Sequence, residues 1–217
     1  MHPTRQLLLD HGLDIVRSKG LRGLTVRELA AAANVNLGSF VYHFGNRSQF
    51  LDELVELWYA PIYAQLQDLA RPDPGHSAFE RLTHTLQELL RWLLSNNAVV
   101  SHLLADALAG EPSARAFAIR LPSRHPKLLL RLIREAQAEG TLVAGPPIAL
   151  MAFIATSTAL PLLLMGAPEG GADWLPAMKR IRQTLISPVA VQRRLQWALR
   201  GVSADRQAHV SMTTPIK

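Results

Sequence analysis

Apolar residues recur along this chain three and four positions apart, the period of a helix with one buried side. The alternation of apolar and polar residues that marks a half-buried strand does not occur. The pattern predicts an all-α protein. Gly, Pro, Asn and Ser interrupt it at residues 18–23, 34–36, 44–47, 71–75, 110–112, 121–126, 140–147, 166–172 and 187–188. Those breaks leave nine or ten helices: three short ones before residue 46, and a long one over 46–70 that Pro61 is expected to kink. Further helices are expected at 77–95, 97–109, 123–139, 147–165, 173–186 and 188–200. The domain boundaries that follow are 1–46 for a small helical head, 47–200 for a larger helical bundle, and 201–217 for a tail expected to be disordered.

The head has the more informative local chemistry. Thr25 followed by Glu28 predicts a capping box, in which hydroxyl and carboxylate each satisfy an orphan backbone N–H. Val26, Leu29, Ala30 and Ala33 then form an apolar stripe, and Asn34 suits a left-handed exit. Asn36 is placed to cap a second short helix running to Phe44. Steps of about 100° put Leu37, Phe40, Val41 and Phe44 on its packing side. Gly38, Ser39, Tyr42 and His43 fall on the other side. Two short helices across a three- to four-residue turn suit a helix-turn-helix, whose second helix enters the major groove of DNA. Gly38 and Ser39 would allow close approach of the backbone, and Tyr42 and His43 could reach phosphates or thymine methyls. Asn46 reads as the cap of the long helix, with Arg47 beside its free N–H groups as an expected phosphate clamp.

The run GLTVRELAAAANVNLGSFVYHFGNRSQFLDEL resembles the DNA-binding signature of the TetR family, tetracycline-repressor-like transcription regulators. Thr25, Glu28, Leu29, Ala30, Val35, Gly38, Tyr42, His43, Phe44 and Arg47 occupy matching places, and the likeness covers about residues 8–55. It implies a three-helix DNA-binding domain followed by a helical effector-binding and dimerisation domain. It also implies DNA contacts at Thr25, Asn36, Gly38, Ser39, Tyr42, His43 and Arg47. The sequence departs from the family where Asn34 replaces the usual turn glycine, Val41 a frequent Tyr, and Leu37 a frequent basic or polar residue. Those last two changes bear on which operator is read.

Composition changes this picture little. The 217 residues include no cysteine, which excludes disulfides, thiolate zinc sites and cysteine nucleophiles. A formal net charge of +6 suits an anionic partner. No secretory signal is visible at the start, and the reading is cytoplasmic. The uncharged stretch 148–165 reaches membrane-spanning length, but Thr156, Ser157, Thr158 and Pro161 interrupt it and no basic cluster flanks it. A single buried helix at a subunit interface is the preferred reading. It pairs with 189–199 as the expected dimer contact, the resemblance implying a four-helix bundle with a twofold mate.

The ligand residues are harder to choose. His84, Trp92, His102, Asp106, Phe117, Met151, Phe153 and Thr156 are the candidates for a pocket between bundle helices. Nucleophile elbows, P-loops, paired carboxylates and metal spacings are absent from the sequence, so no enzyme, metal or cofactor is expected. The expected function is a ligand-responsive dimeric repressor that reads a pseudo-palindromic operator and is released by a small-molecule effector. A non-sensing dimeric DNA-binding protein is the alternative, with a helical enzyme behind it.

Overall fold

The computed structural model describes residues 3–165 and 184–204. Its helices, in chain order, are α1 (Pro3–Lys19), α2 (Val26–Ala32), α3 (Leu37–Phe44), α4 (Arg47–Leu69), α5 (Ala78–Ser95), α6 (Asn97–Leu108), α7 (Pro112–Arg120), α8 (His125–Ala138), α9 (Pro147–Thr158), α10 (Leu160–Met165) and α11 (Pro188–Val202). No strand occurs among the described residues. The all-α reading holds.

Several boundaries depart from expectation. The first helix is 17 residues long rather than short. The segment 112–120, which the breaks on either side had hidden, is helical because Pro112 sits in the first turn, where its missing N–H costs nothing. The uncharged stretch is two helices instead of one. The break falls at Ala159, ahead of Pro161, and Ile154, Thr158 and Leu162 are buried. No helix among the described residues is long and apolar enough to cross a membrane. The helix expected over 173–186 lies mostly outside the described residues, as do 205–217 of the expected tail.

Three phenylalanines organise the head. Phe40 and Phe44 come from α3, and Phe50 comes from the first turns of α4. Their ring centroids lie 4.8–5.7 Å apart, and all three are buried. Leu8, Leu9, Val16, Leu21, Leu24 and Leu29 complete this core. Gly12 of α1 lets the helix settle on it, since a Cβ there would stand 2.5 Å from Cζ of Phe50.

The larger bundle is built round α5. A complete capping box starts that helix, with the Ser77 hydroxyl and the Glu80 carboxylate each satisfying the other's backbone N–H. Leu82, Leu86, Leu89, Leu90 and Leu93 give α5 a buried stripe that faces α4, α8 and α11. From α8, Leu129, Leu132, Ile133 and Ala136 pack back against it. Helices α9 and α11 lie against each other at the outside of the bundle.

Replacing Gly12 by Ala gains helix propensity worth about 1 kcal/mol but forces a ring out of a filled cluster. The expected net result is a loss of about 1–2 kcal/mol, read as a lower urea midpoint with an unchanged slope.

Candidate nucleic-acid interface and core cavity

The turn between α2 and α3 is a Schellman motif. The Asn34 N–H donates to the Ala31 carbonyl at 3.1 Å and the Val35 N–H to Ala30 at 2.9 Å, with Asn34 in the left-handed region at φ 51°. Asn34 thus does the work of a turn glycine. Thr25 caps α2 by accepting from the Glu28 N–H, but the expected capping box is only half made. The Glu28 carboxylate pairs with Lys19 Nζ at 2.5 Å instead of returning to the Thr25 amide. Asn36 caps α3, accepting from the Ser39 N–H at 2.7 Å and from the Ser39 hydroxyl at 3.1 Å. Asn46 caps α4 through the Gln49 N–H.

The outer side of α3 differs from the expected one. Phe40 and Phe44 are buried, but Leu37 and Val41, expected to pack inward, are 46% and 57% exposed. Tyr42 is 83% exposed and Gly38 is open as well. Leu37, Gly38, Val41 and Tyr42 therefore form one outward stripe, flanked by the half-buried Ser39 and His43. Thr25 and Asn36 are exposed at the starts of their helices.

Arg47 points elsewhere. Its Nε donates to the Leu24 carbonyl at 2.8 Å, and Nη2 donates to the Leu21 carbonyl at 2.5 Å. The same Nη2 lies 3.4 Å from the Glu111 carboxylate. The guanidinium expected at a phosphate is tied to the loop before α2 and to the start of α7. Asp106, expected in a pocket, meets that loop from the other side. Its Oδ2 accepts from the Leu21 N–H at 2.6 Å and lies 3.4 Å from the Arg22 N–H. Gly20, at φ 76°, is needed here: a Cβ would lie 2.7 Å from Asp106 Oδ2 and 3.2 Å from His102 Nδ1. Head and bundle meet at this loop as well as along α1 and α6, and sequence reasoning gave no hint of the loop's part.

A cavity of about 240 Å³ lies inside the bundle. Three of the expected residues, Trp92, Phe117 and Met151, line it together with Trp58 and Tyr59 of α4 and His125 of α8. The other five do not. His84 is exposed beside His76, and His102 and Asp106 sit at the joint. Phe153 is exposed and Thr156 bonds back to its own helix. Tyr59 and His125, which were not among the expected pocket residues, are bonded to each other at 2.7 Å. Burial pushes the Tyr59 phenol up to about 12. Burial first, and the Arg124 charge second, lower His125 to about 4. Both groups are neutral at pH 7, so one proton lies between the phenol oxygen and Nδ1, and the imidazole tautomer sets which of them donates.

Arg124 covers this pair from outside. Its guanidinium stacks 5.1 Å from the Tyr59 ring and 5.3 Å from Phe117, and pairs with Glu56 at 2.7 Å. Arg120 reaches the same carboxylate at 2.8 Å. Burial opposes ionisation of Glu56, but the hydrogen bonds and charges of the two arginines outweigh it and hold its pKa below the ordinary value.

Residues 8–54 match the family model for bacterial regulatory proteins of the tetR family. Transcriptional regulator AcuR of Cereibacter sphaeroides is 32% identical over 145 residues, 65% of this chain and 66% of that protein. The chain belongs to the TetR family. The HTH-type transcriptional repressor NemR of Escherichia coli is 30% identical over 110 residues, covering 51% of this chain and 54% of NemR. The chain thus spans between about half and two thirds of these curated relatives. Among solved structures, the ketosteroid transcriptional regulator KstR2 of Mycobacterium tuberculosis superposes with a TM-score of 0.67 at 22% identity, over 94% of this chain and 96% of that one. A TetR-family regulator from a Rhodococcus species gives 0.63 at 21% identity, over 93% and 99%. At such identities the likeness is one of fold, and it extends the family architecture across the bundle. TetR-family regulators bind DNA and are not enzymes, which agrees with the reading of the sequence.

Two measurements follow from this TetR-family geometry. Asp106→Ala removes the acceptor of a buried amide and should cost about 1–3 kcal/mol in urea unfolding; a change within 0.3 kcal/mol would show that the joint carries no load. For His125, the unfolded chain binds a proton near pH 6.5 and the folded chain only near pH 4. Its contribution to stability is therefore complete above pH 6.5 and fades as pH falls towards 4. Between pH 7 and 4.5 the wild type should lose about 2–3 kcal/mol more than His125→Phe. Parallel losses would contradict the assignment of a neutral imidazole.

Proposed function

We propose that this chain is a ligand-responsive repressor that binds a pseudo-palindromic operator as a homodimer and is released by a small effector. The outward stripe of α3 carries the reading: small at Gly38, apolar at Leu37 and Val41, and led by the projecting ring of Tyr42. A surface with no long charged side chain can sit deep in a major groove, where apolar groups meet thymine methyls. Thr25, Asn36, Ser39 and His43 are the proposed flanking contacts. Arg22 and Arg27, both exposed, take over the phosphate role expected of Arg47, whose part becomes that of a joint residue.

The domains proposed are a head over residues 1–46 and an effector-binding and dimerisation bundle over 47–200. Helices α9 and α11 supply the proposed dimer face. Ile154, Val191, Leu195 and Leu199 face the bundle, while Ile148, Phe153, Val189 and Trp197 remain outside, between 48% and 65% exposed. Apolar residues exposed together on two adjacent helices suit a partner surface. Twofold pairing would hold two α3 helices about one DNA turn, 34–36 Å, apart.

The route from ligand to DNA follows from which helices do two jobs. Helix α6 contributes Val100 and Leu103 to the cavity and Asp106 to the joint. Helix α7 contributes Phe117 to the cavity and is preceded by Glu111, the partner of Arg47. Helix α4 carries both Arg47 and the cavity residues Trp58 and Tyr59. A ligand that prefers a different arrangement of these walls shifts the loop at 20–24 with them, and thereby the spacing of the heads. The existence of the cavity favours this reading over a non-sensing DNA-binding protein.

With operator duplexes enriched from a random pool by the wild-type protein, Tyr42→Ala should bind at least tenfold more weakly while unfolding at the wild-type urea midpoint. Undiminished affinity would remove α3 from the DNA interface.

A further inference from the structure

The cavity narrows the kind of molecule that can occupy it. Among the described residues that line it, none carries a formal charge at pH 7, given that His125 is neutral. The polar groups in the wall are mostly satisfied already. Trp58 Nε1 donates to Asn96 at 2.9 Å, and the Thr158 hydroxyl donates to the Ile154 carbonyl at 2.7 Å. The Tyr59–His125 pair remains. In either imidazole tautomer the pair keeps one donor and one acceptor to offer, shared between the Tyr59 oxygen and Nε2 of His125.

The nearest charges among the described residues stand outside those rings, two guanidiniums on one carboxylate, with a net charge of +1. Arg124 and Arg120 share Glu56, which receives three hydrogen bonds of 2.7–2.9 Å. An anionic ligand would have to displace Glu56 to reach Arg124. A cationic one would meet a desolvated wall with no carboxylate among its described residues. Either loses its hydration without a replacement. The remaining surface is mostly aliphatic, leucines of α5 above all, and is joined by an aromatic wall: Trp58 and Trp92 lie 4.7 Å apart, and Tyr59 and Phe117 meet edge-on at 5.2 Å. Such walls favour flat rings, which can stack or meet an edge. An apolar cavity of about 150 Å³ is enough for benzene. One of 240 Å³ has room for a second fused ring.

We propose that the effector is an uncharged, flat, largely apolar molecule on the scale of two fused rings, bearing one hydroxyl or carbonyl that docks on the Tyr59–His125 pair. This rests on the sensing reading above and specifies its ligand.

The test uses four probes of one shape on the full-length protein: 2-naphthol, naphthalene, 2-naphthoate and 2-naphthylmethylammonium, each titrated by calorimetry. Expected is the order naphthol, then naphthalene roughly three- to tenfold weaker, with both charged probes at least a hundredfold weaker than naphthol. The double variant Tyr59→Phe, His125→Leu should bring naphthol down to the affinity of naphthalene, whose retained binding reports that the variant is folded. If that variant does not bind naphthalene, Tyr59→Phe alone is used, and at least a threefold loss for naphthol is required. A charged probe that equals or beats naphthol, equal losses for naphthol and naphthalene, or binding by none of the four would overturn the proposal. A separate arm follows DNA binding. Naphthol that binds as expected yet leaves operator affinity unchanged would uphold the ligand class and sink the sensing mechanism, so the two failures are distinguishable.

Discussion

The loop over residues 20–24 is held from both sides, and the relation between head and bundle depends on that grip. Its amides at Leu21 and Arg22 face the Asp106 carboxylate, and its carbonyls at Leu21 and Leu24 receive the Arg47 guanidinium. Both partners are charged, so these hydrogen bonds are stronger than ordinary backbone ones. Both are also partly or wholly out of water, so losing a partner leaves a buried polar group unmet. Gly20 makes the approach possible, since no side chain fits between it and Asp106. A joint of this kind tolerates little drift. It moves as a unit or breaks.

That stiffness matters because the anchoring residues sit on helices that also wall the cavity. Leu103 faces the cavity and Asp106 the joint, one helical turn apart on α6. A packed helix moves as a body, because close-packed interiors transmit displacement without absorbing it. The same logic explains the chemistry of the wall. A charged group inside the bundle would bring counter-charges and water with it, whereas neutral Tyr59 and His125 need no counter-charge. The arginine–glutamate cluster at the rim holds its charges where solvent still screens them, and lays a guanidinium over two of the cavity's own rings.

Much of the head was legible because its determinants are local. Thr25, Asn36 and Asn46 act on amides three residues away, and Asn34 on its own backbone angle. Spacing alone therefore carries the signal. The errors fall where distant residues decide. Leu37 and Val41 lie on the periodic apolar side of α3, but that helix is covered along the Phe40–Phe44 line alone, and hydropathy does not record how wide the cover is. Arg47 has the position of a phosphate clamp, and only the contacts to Leu21, Leu24 and Glu111 reveal its other use. For the cavity, residue type was a poor guide. His84 and His102 suit a pocket lining in the sequence, whereas His125 lies within the break at 121–126 and looks like a turn residue. What sets His125 apart is its burial against Tyr59, a contact across 66 positions.

The composition of the α3 stripe has a consequence for how the proposed operator would be discriminated. The Ser39 hydroxyl donates its proton to the Asn36 cap, which leaves it able to meet the operator as an acceptor only. Leu37 and Val41 offer only apolar contact, and Gly38 offers none beyond its backbone. Discrimination on the proposed reading then comes from two sources: the methyl of thymine against these apolar groups, and the hydrogen bonds of Tyr42 and His43. Apolar contacts of this kind penalise a wrong base by leaving a gap or by desolvating a polar edge, not by losing a bidentate pair. Such penalties are modest at each position. A regulator built this way needs both half-sites engaged at once to reach useful affinity, so a small change in the spacing of its heads is enough to release it.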